Sequence, residues 1–150
     1  MNNQQFRKGL DYTGNCVVFF CHDGNDNYLM AKRSVNCRDE QGTWDVGGGG
    51  IECFESAVDS VISEIKQEYC IDVNTSDVEF LGYRDVFRTN NVGEKTHWIA
   101  LDFKVLVDPT LAKIGELHKF EELGWFTLDT LPNPIHSQLA YTIDKYRDKL

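Results

Sequence analysis

The stretch from Trp44 to Ile71 constrains this chain most, because it joins a run of glycines to acidic residues and then to a helical pattern. The glycine run covers Gly47 to Gly50. Glycine lets backbone amides approach an anion closely and permits positive φ where a loop turns sharply. The lysine and hydroxyl residues of a P-loop are absent, so the motif is of another kind. We therefore expect a glycine loop that meets an anionic ligand.

A helix is predicted directly after this loop. Ser56, followed three residues later by Asp59, resembles a capping box, the sequence signature of a helix start. Apolar residues then recur at helical spacing and predict one face directed at the core; they are Val58, Val61, Ile62, Ile65 and Tyr69. Glu64 and Glu68 are four residues apart, and Gln67 is three from Glu64, so the three share one edge of the helix.

The acidic edge of this helix favours a divalent metal site. Two stacked carboxylates repel each other, and a cation between them would remove that cost. Magnesium binds oxygen ligands and is commonly held by one or two carboxylates together with substrate phosphates. Glu52 and Glu55 precede the helix and are candidates for further contacts. A lone acidic edge is usually a solvated surface and a lone glycine run a flexible loop; their fixed order favours a site for a metal and a diphosphate.

The order and spacing of these residues resemble the Nudix box, the signature of the Nudix hydrolase family. The signature is glycine, five residues, glutamate, seven residues, then Arg-Glu-aliphatic-x-Glu-Glu-x-Gly-aliphatic. The matching positions are Gly49, Glu55, Glu64, Ile65, Glu68 and Ile71. Three positions differ, since Ser63 replaces the arginine, Gln67 the first paired glutamate and Cys70 the glycine. Loss of one charge beside a divalent ion is worth on the order of a few kcal/mol, so we expect weakened metal binding.

The resemblance implies an α/β fold, an α/β/α sandwich with a mixed sheet, in one domain over residues 1–150. It also implies a pyrophosphohydrolase that uses Mg²⁺ or Mn²⁺ to cleave the diphosphate of a nucleotide or nucleotide-sugar. The implied catalytic residues are Glu64 and Glu68, and the implied metal ligands are Glu64, Glu68, Gln67 and Glu121, the last from a later loop that also contains Glu122. The implied substrate-binding residues are Gly48, Gly49, Arg33 and Glu55.

Outside the box, the pattern predicts strands at 12–21, 28–32, 78–88, 97–107 and 123–128, a long connection at 108–120 and a closing helix at 135–150. Gly82 predicts a bend in the strand at 78–88. In the same strand, Arg84 and Arg88 share one face and either contact a phosphate or form surface ion pairs, with Asp85 as one partner. Tyr83 and Phe87 are typical of core packing, and stacking on a base is the alternative.

Charge and composition exclude other classes. The net charge is -9, which disfavours a large nucleic-acid footprint because such a footprint needs a basic patch. No segment has the ~20 continuous apolar residues of a membrane span. The five cysteines are odd in number and lack metal-site spacing, so we expect reduced thiols in a cytoplasmic protein. Dimers are common among proteins resembling this family, and a homodimer remains open.

Two alternatives keep the same fold. The first is a nucleotide-binding module with weakened or lost catalysis, favoured by Gln67 and Ser63. The second is a prenyl diphosphate isomerase, which would need a reactive cysteine and an acid facing each other in the pocket. Neither alternative requires a different arrangement of strands and helices.

Overall fold

A computed structural model describes residues 4–150, and within this range one mixed sheet is covered by a helix on each face. The strands are β1 Gly14–His22, β2 Tyr28–Arg33, β3 Trp44–Asp45, β4 Gly47–Gly50, β5 Val78–Thr89, β6 Lys95–Leu106 and β7 Phe120–Phe126. The helices are α1 Ala57–Tyr69 and α2 Leu139–Tyr146, with short 3-10 turns at Thr75–Asp77 and Pro109–Leu111. Among these residues, none of the helices is long and apolar enough to cross a membrane.

The strand order is β3-β2-β1-β6-β5, with β4 paired to β1 and β7 paired to β2. β1 and β6 are parallel, and the other pairs are antiparallel. β1 and β2 share only the residue pair His22 and Tyr28 before they separate. β1 then pairs with β4 along Cys16–Phe19. The separation of β1 and β2 therefore makes room for the glycine strand beside β1.

Each face of the sheet has its own core, because side chains alternate along a strand. Val17 and Phe19 of β1 pack with Ile65 of α1, whereas Phe20 packs with Ile143 of α2. All five are at most 1% exposed, and each such burial contributes roughly 1.5–3 kcal/mol. The expected α/β/α sandwich with a mixed sheet is confirmed.

The predicted helix start is confirmed at α1. The Ser56 hydroxyl accepts a hydrogen bond from the Asp59 backbone amide at 3.1 Å. α1 ends at Cys70, which adopts a left-handed conformation with φ 61° and donates its amide to the Lys66 carbonyl. The predicted bend at Gly82 is also confirmed, as a register shift between Phe80 and Gly82 against β6.

The closing helix is shorter than predicted, because α2 begins at Leu139 and not at residue 135. Ile135 forms an isolated bridge with Trp44, and the His136 amide donates to the Trp44 carbonyl at 2.8 Å. These residues are therefore held by the sheet edge instead of entering the helix.

Three expectations for β5 were wrong. The partner of Arg84 is Asp102 of β6, at 2.8 Å, and not Asp85. Tyr83 and Phe87 are 57% and 69% exposed, so they do not pack in the core. β5 lies at the end of the strand order, where Tyr83 contacts Lys145 of α2 and Phe87 stacks on the His97 ring.

Candidate active site

The four glycines form strand β4 rather than an irregular loop, and none of them has a positive φ. The expectation of a sharp glycine turn was therefore wrong. Glycine is needed here because neighbouring atoms lie too close to leave room for a side chain. A Cβ on Gly47 would lie 2.7 Å from Glu68 Oε2, and one on Gly49 would lie 2.6 Å from Glu64 Oε1. A Cβ on Gly48 would lie 2.8 Å from the Val17 carbonyl oxygen. The glycines thus leave space that two carboxylates of α1 use.

Glu68 is the most deeply buried of these acids, at 2% exposure. It accepts a hydrogen bond from the Gly48 amide, but its Oε2 has no hydrogen-bond partner among the residues that the structure describes. Burial, then the nearby Glu64 carboxylate, raise the pKa of Glu68 well above its usual range. A buried, unpaired charge costs several kcal/mol. Binding of a cation or a proton would therefore stabilise this carboxylate.

Glu64 lies one helical turn earlier and is half-buried. Burial raises the pKa of Glu64; the Lys119 ammonium opposes this shift, and neighbouring acids reinforce it. Those acids are Glu116, Glu55 and Glu52. The site therefore gathers more carboxylates than ammonium groups, since the cations beside them are Lys119 and, next to Glu52, Lys8, and such an arrangement attracts a further cation.

The two hydrophilic departures from the Nudix box contact each other. The Gln67 side-chain amide donates to the Ser63 hydroxyl at 3.0 Å, and Gln67 is exposed. Gln67 is thus engaged on the outer side of α1, while Glu68 is directed into the protein. A ligand role for Gln67 would require this hydrogen bond to break.

The connection between β6 and β7 crosses the end of α1. The Gly115 amide donates to the Glu68 carbonyl at 2.8 Å, and the Lys113 amide donates to the Tyr69 carbonyl at 3.0 Å. At the loop's far end, Lys119 Nζ lies 3.4 Å from Glu116 Oε1. Our sequence reasoning missed Glu116 and Lys119, because a single glycine in a polar connection is too weak a signal to show that the loop docks on α1.

Glu121, a predicted metal ligand, lies on β7 and pairs with Lys32 of β2, with Nζ and Oε1 3.2 Å apart. It is not among the main groups that shift the pKa values of Glu64 and Glu68. The Oε1 atom of Glu55, a predicted substrate contact, accepts a long 3.4 Å hydrogen bond from the Glu52 amide. The roles of Glu121 and Glu55 stay predictions.

Arg33, the predicted phosphate neighbour, is held in an ion-pair cluster. Its guanidinium lies 2.7 Å from Asp39, whose other oxygen lies 3.4 Å from Arg88. Arg88 also pairs with Glu40 at 2.6 Å, and Glu40 lies 2.7 Å from Nε2 of buried His136. Contact between Arg33 and a phosphate would therefore compete with Asp39, and the phosphate role of Arg33 stays a prediction.

The carboxylates of α1 fit a divalent metal ion. Their donors are oxygens, as Mg²⁺ and Mn²⁺ prefer, and Glu68 Oε2 is buried without a partner within the described chain. Within residues 4–150, no three His, Cys, Asp or Glu side chains already converge as a metal site. Glu64 and Glu68 thus form a two-carboxylate core that other oxygens would complete.

Two of the five cysteines are poor nucleophiles. Burial raises the pKa of Cys16 to about 11 and raises the pKa of fully buried Cys21 further. The thiolate is the reactive form, so neither residue is suited to the covalent or acid–base role that the isomerase alternative requires.

The chain is similar to proteins of one family over most of its length. The family model described as NUDIX domain matches residues 12–146. A comparison with curated proteins finds no match. A MutT NUDIX hydrolase from Burkholderia pseudomallei is 24% identical, with 89% of this chain and 98% of that chain covered and a TM-score of 0.74.

Two further solved structures contain nucleotide-like ligands. The NUDIX domain of Shewanella oneidensis NrtR, complexed with ADP ribose, is 15% identical over 97% of this chain and 94% of that one, with a TM-score of 0.71. A bifunctional NMN adenylyltransferase/ADP ribose pyrophosphatase from Francisella tularensis, complexed with AMP and a Mn ion, is 18% identical. The match covers 92% of this chain and 42% of that one, with a TM-score of 0.69.

Proposed function

The chain belongs to the NUDIX family, a class of hydrolases that act on phosphoric anhydrides, and from this premise we propose that it cleaves the diphosphate of a nucleotide or nucleotide-sugar. The observation that carries the proposal is the pair of carboxylates on α1 facing a glycine strand. Gly47 and Gly49 allow these carboxylates to pack directly against the backbone of β4. Glu68 Oε2 is buried without a partner among the described residues, which supports a ligand at this place.

Glu64 and Glu68 would hold a divalent cation, Mg²⁺ or Mn²⁺. When bound, such an ion offsets the negative charge that develops on the diphosphate oxygens during hydrolysis. Gln67 and Glu121 are the further ligands predicted from the sequence, although in this structure they contact Ser63 and Lys32.

Residues of the chain itself would position the reacting groups and accept the proton. The Gly48 backbone amide faces Glu68 and favours its charged form, which lowers the pKa of this carboxyl. Glu64 is half-buried and so partly accessible to solvent, which leaves room for a water beside its carboxylate. Glu64 would take the proton from the water that attacks phosphorus, and the P–O bond of the diphosphate bridge would break to release two phosphate-containing products.

The open substrate side of the site would involve Gly48, Gly49, Arg33 and Glu55. Arg33 would bind phosphate by exchanging its contact with Asp39 for one with the substrate, since a guanidinium binds carboxylate and phosphate with similar geometry. A homodimer stays a prediction.

The experiment is a turnover screen with Mg²⁺ or Mn²⁺ on nucleoside triphosphates, ADP-ribose and sugar nucleotides, with detection of released phosphate and nucleoside monophosphate. We expect turnover on at least one diphosphate-linked nucleotide. Glu64→Gln should lower kcat at least about 100-fold, as loss of one transition-state contact does elsewhere. Glu79→Gln removes an exposed charge on β5 and is the matched control, with unchanged kcat.

A second candidate is a nucleotide-binding module without turnover, favoured by the engagement of Gln67 with Ser63. Measurable nucleotide binding with no turnover on the whole substrate panel would establish this alternative and refute the hydrolase. A Gln67→Glu variant separates the two further, because strong gain of turnover would show that position 67 had lost a ligand.

A further inference from the structure

We propose that the Asp39 carboxylate occupies an anion site in place of a phosphate group, and that Arg33 and Arg88 bind the phosphate of a ligand once Asp39 turns away. Asp39 lies in the connection between β2 and β3, which we call the acidic loop and define as residues 34–43. The inference rests on the proposed function, because it deepens the phosphate role given to Arg33. It adds a second guanidinium and a competitor that belongs to the chain itself.

The Asp39 carboxylate bridges guanidinium groups from two separate strands. Its Oδ1 atom accepts a hydrogen bond from the Arg33 Nη2 atom at 2.7 Å, and its Oδ2 atom accepts one of 3.4 Å from the Arg88 Nη1 atom. Arg33 ends β2, and Arg88 lies near the end of β5. A third guanidinium, that of Arg38, is 3.8 Å from the same Oδ2 atom. Guanidinium groups that converge on one small anion form a site that suits phosphate as well as carboxylate.

Asp39 can leave this position while Arg33 stays in place. Among the described residues, every side-chain hydrogen bond and ion pair of Asp39 is with an arginine. No backbone amide of the acidic loop therefore depends on this carboxylate. The backbone carbonyl of Asp39 accepts a separate 3.1 Å hydrogen bond from the Arg33 Nε atom. This contact keeps the Arg33 guanidinium oriented, so that its Nη2 atom is free for another anion when the carboxylate turns away.

Glu40, the next residue, anchors the acidic loop. Its carboxylate accepts hydrogen bonds from the Ser137 amide at 2.7 Å and from the Arg88 Nη2 atom at 2.6 Å, and it lies 2.7 Å from the His136 Nε2 atom. Glu40 also has a left-handed φ of 47°, which is unfavourable for a residue with a side chain. Because Glu40 holds Arg88 through Nη2, the Arg88 Nη1 atom stays directed at the position of the Asp39 carboxylate.

The anion site is open to a small ligand. The side chains of Arg33, Asp39 and Arg88 are 21%, 22% and 31% exposed, so solvent reaches all three. A phosphate group carries up to two negative charges and three acceptor oxygens, whereas a carboxylate carries one charge and two oxygens. A phosphate can therefore contact both guanidinium groups and compete with Asp39 for them.

The test measures binding of inorganic phosphate and of ADP-ribose to the full chain by isothermal titration calorimetry in EDTA, where no metal or turnover contributes. We expect Asp39→Asn to tighten phosphate binding at least about threefold, as removal of a competing, partly exposed ion pair does. Arg88→Met should weaken phosphate binding about 10-fold, as loss of a hydrogen bond between charged groups does. In the double variant Asp39→Asn with Arg88→Met, the gain should disappear.

Asp144→Asn is the matched control, because it breaks another contact between an aspartate and an arginine, that of Asp144 with Arg147 on α2. It should bind phosphate as the wild type does. Thermal unfolding of each variant verifies that it is folded.

The two ligands distinguish the sources of the phosphate. Tighter binding of both ligands by Asp39→Asn would place a phosphate of a nucleotide between the arginines, and tighter binding of inorganic phosphate alone would assign a separate phosphate ligand. Both results support the anion site. Phosphate binding that folded Asp39→Asn leaves unchanged or weakens would overturn the inference, as would a gain that persists in the double variant. The hydrolase is judged separately, by turnover with Mg²⁺ or Mn²⁺.

Discussion

Each face of the sheet buries a carboxylate, but the two carboxylates differ in how fully they are hydrogen-bonded. Beside α2, Asp102 is fully buried and accepts two 2.8 Å hydrogen bonds from Arg84 and one of 2.7 Å from the Tyr146 hydroxyl. Beside α1, Glu68 is nearly as buried, but its Oε2 lacks a partner within the described residues. A buried carboxylate with all its partners holds elements together, whereas one left unpaired needs a ligand from outside.

Two residues with unfavourable backbone conformations flank α1, and two others, Asp26 and Glu40, lie elsewhere. α1 ends at Cys70 in the left-handed region, which is unfavourable for a residue with a side chain, and Phe54 just before α1 also has a positive φ of 65°. Both positive-φ residues flank the helix that carries the candidate site. The α1 face thus combines backbone strain with an unpaired charge, as ligand-binding sites often do.

The largest expected effect comes from matched amide substitutions on the two faces. Asp102→Asn should lower the free energy of unfolding by about 3–5 kcal/mol, because it leaves the buried Arg84 guanidinium unpaired. In metal-free buffer at neutral pH, Glu68→Gln should leave the free energy of unfolding unchanged or raise it, since the substitution removes a buried charge that has no partner. Urea unfolding with EDTA measures both, and equal losses in the two variants would refute the contrast.

The second-largest expected effect is a difference in the pH dependence of stability between the wild type and Glu68→Gln. The folded state raises the pKa of Glu68 above its ordinary value of 4.5, so it binds this proton more tightly than the unfolded chain does. The stabilisation is complete below pH 4.5 and is lost as pH rises through the raised folded pKa, by about 1.4 kcal/mol for each pH unit between the unfolded and folded pKa values. In metal-free unfolding experiments from about pH 4 to 8, the wild type should lose stability relative to Glu68→Gln.

Added Mg²⁺ is the control for this pH effect, because a bound cation removes the need for the proton. Saturating Mg²⁺ should flatten the difference between wild type and Glu68→Gln at high pH. Parallel stability curves without metal would mean that Glu68 is not destabilised by burial.

The smallest expected effect concerns the end of α1. Cys70→Gly should raise the free energy of unfolding by about 1 kcal/mol, because glycine adopts φ 61° without a side-chain penalty. Cys53→Gly makes the same chemical change at an exposed position without a positive φ, and it should not stabilise the protein. Thermal unfolding of both variants checks the pair, and stabilisation by Cys53→Gly alone would contradict the assignment of strain to Cys70.

Local patterns were sufficient to predict α1. The cap at Ser56, the apolar stripe through Ile65 and the shared edge of Glu64 and Glu68 all depend on spacing within one helix, and a helix fixes such spacing. The spacing of the Nudix box likewise identified the family, because its residues lie in one continuous segment.

Contacts between distant segments could not be predicted in this way. Arg84 pairs with Asp102 because antiparallel β5 and β6 place them on one face, while the sequence offered the adjacent Asp85. Glu116 reaches α1 because its loop docks on the helix backbone. Backbone hydrogen bonds of this kind carry no residue signature, so no pattern reveals them.

The sequence by itself determined the NUDIX family, the helix with its acidic edge and the presence of four glycines, because each is encoded in local order and spacing. Only the tertiary structure decided why the glycines are needed. Gly47 and Gly49 lie in an extended strand, and their missing side chains leave the space that the Glu68 and Glu64 carboxylates fill. The tertiary structure also separated the paired carboxylate of Asp102 from the unpaired one of Glu68, since pairing depends on which strands and helices meet.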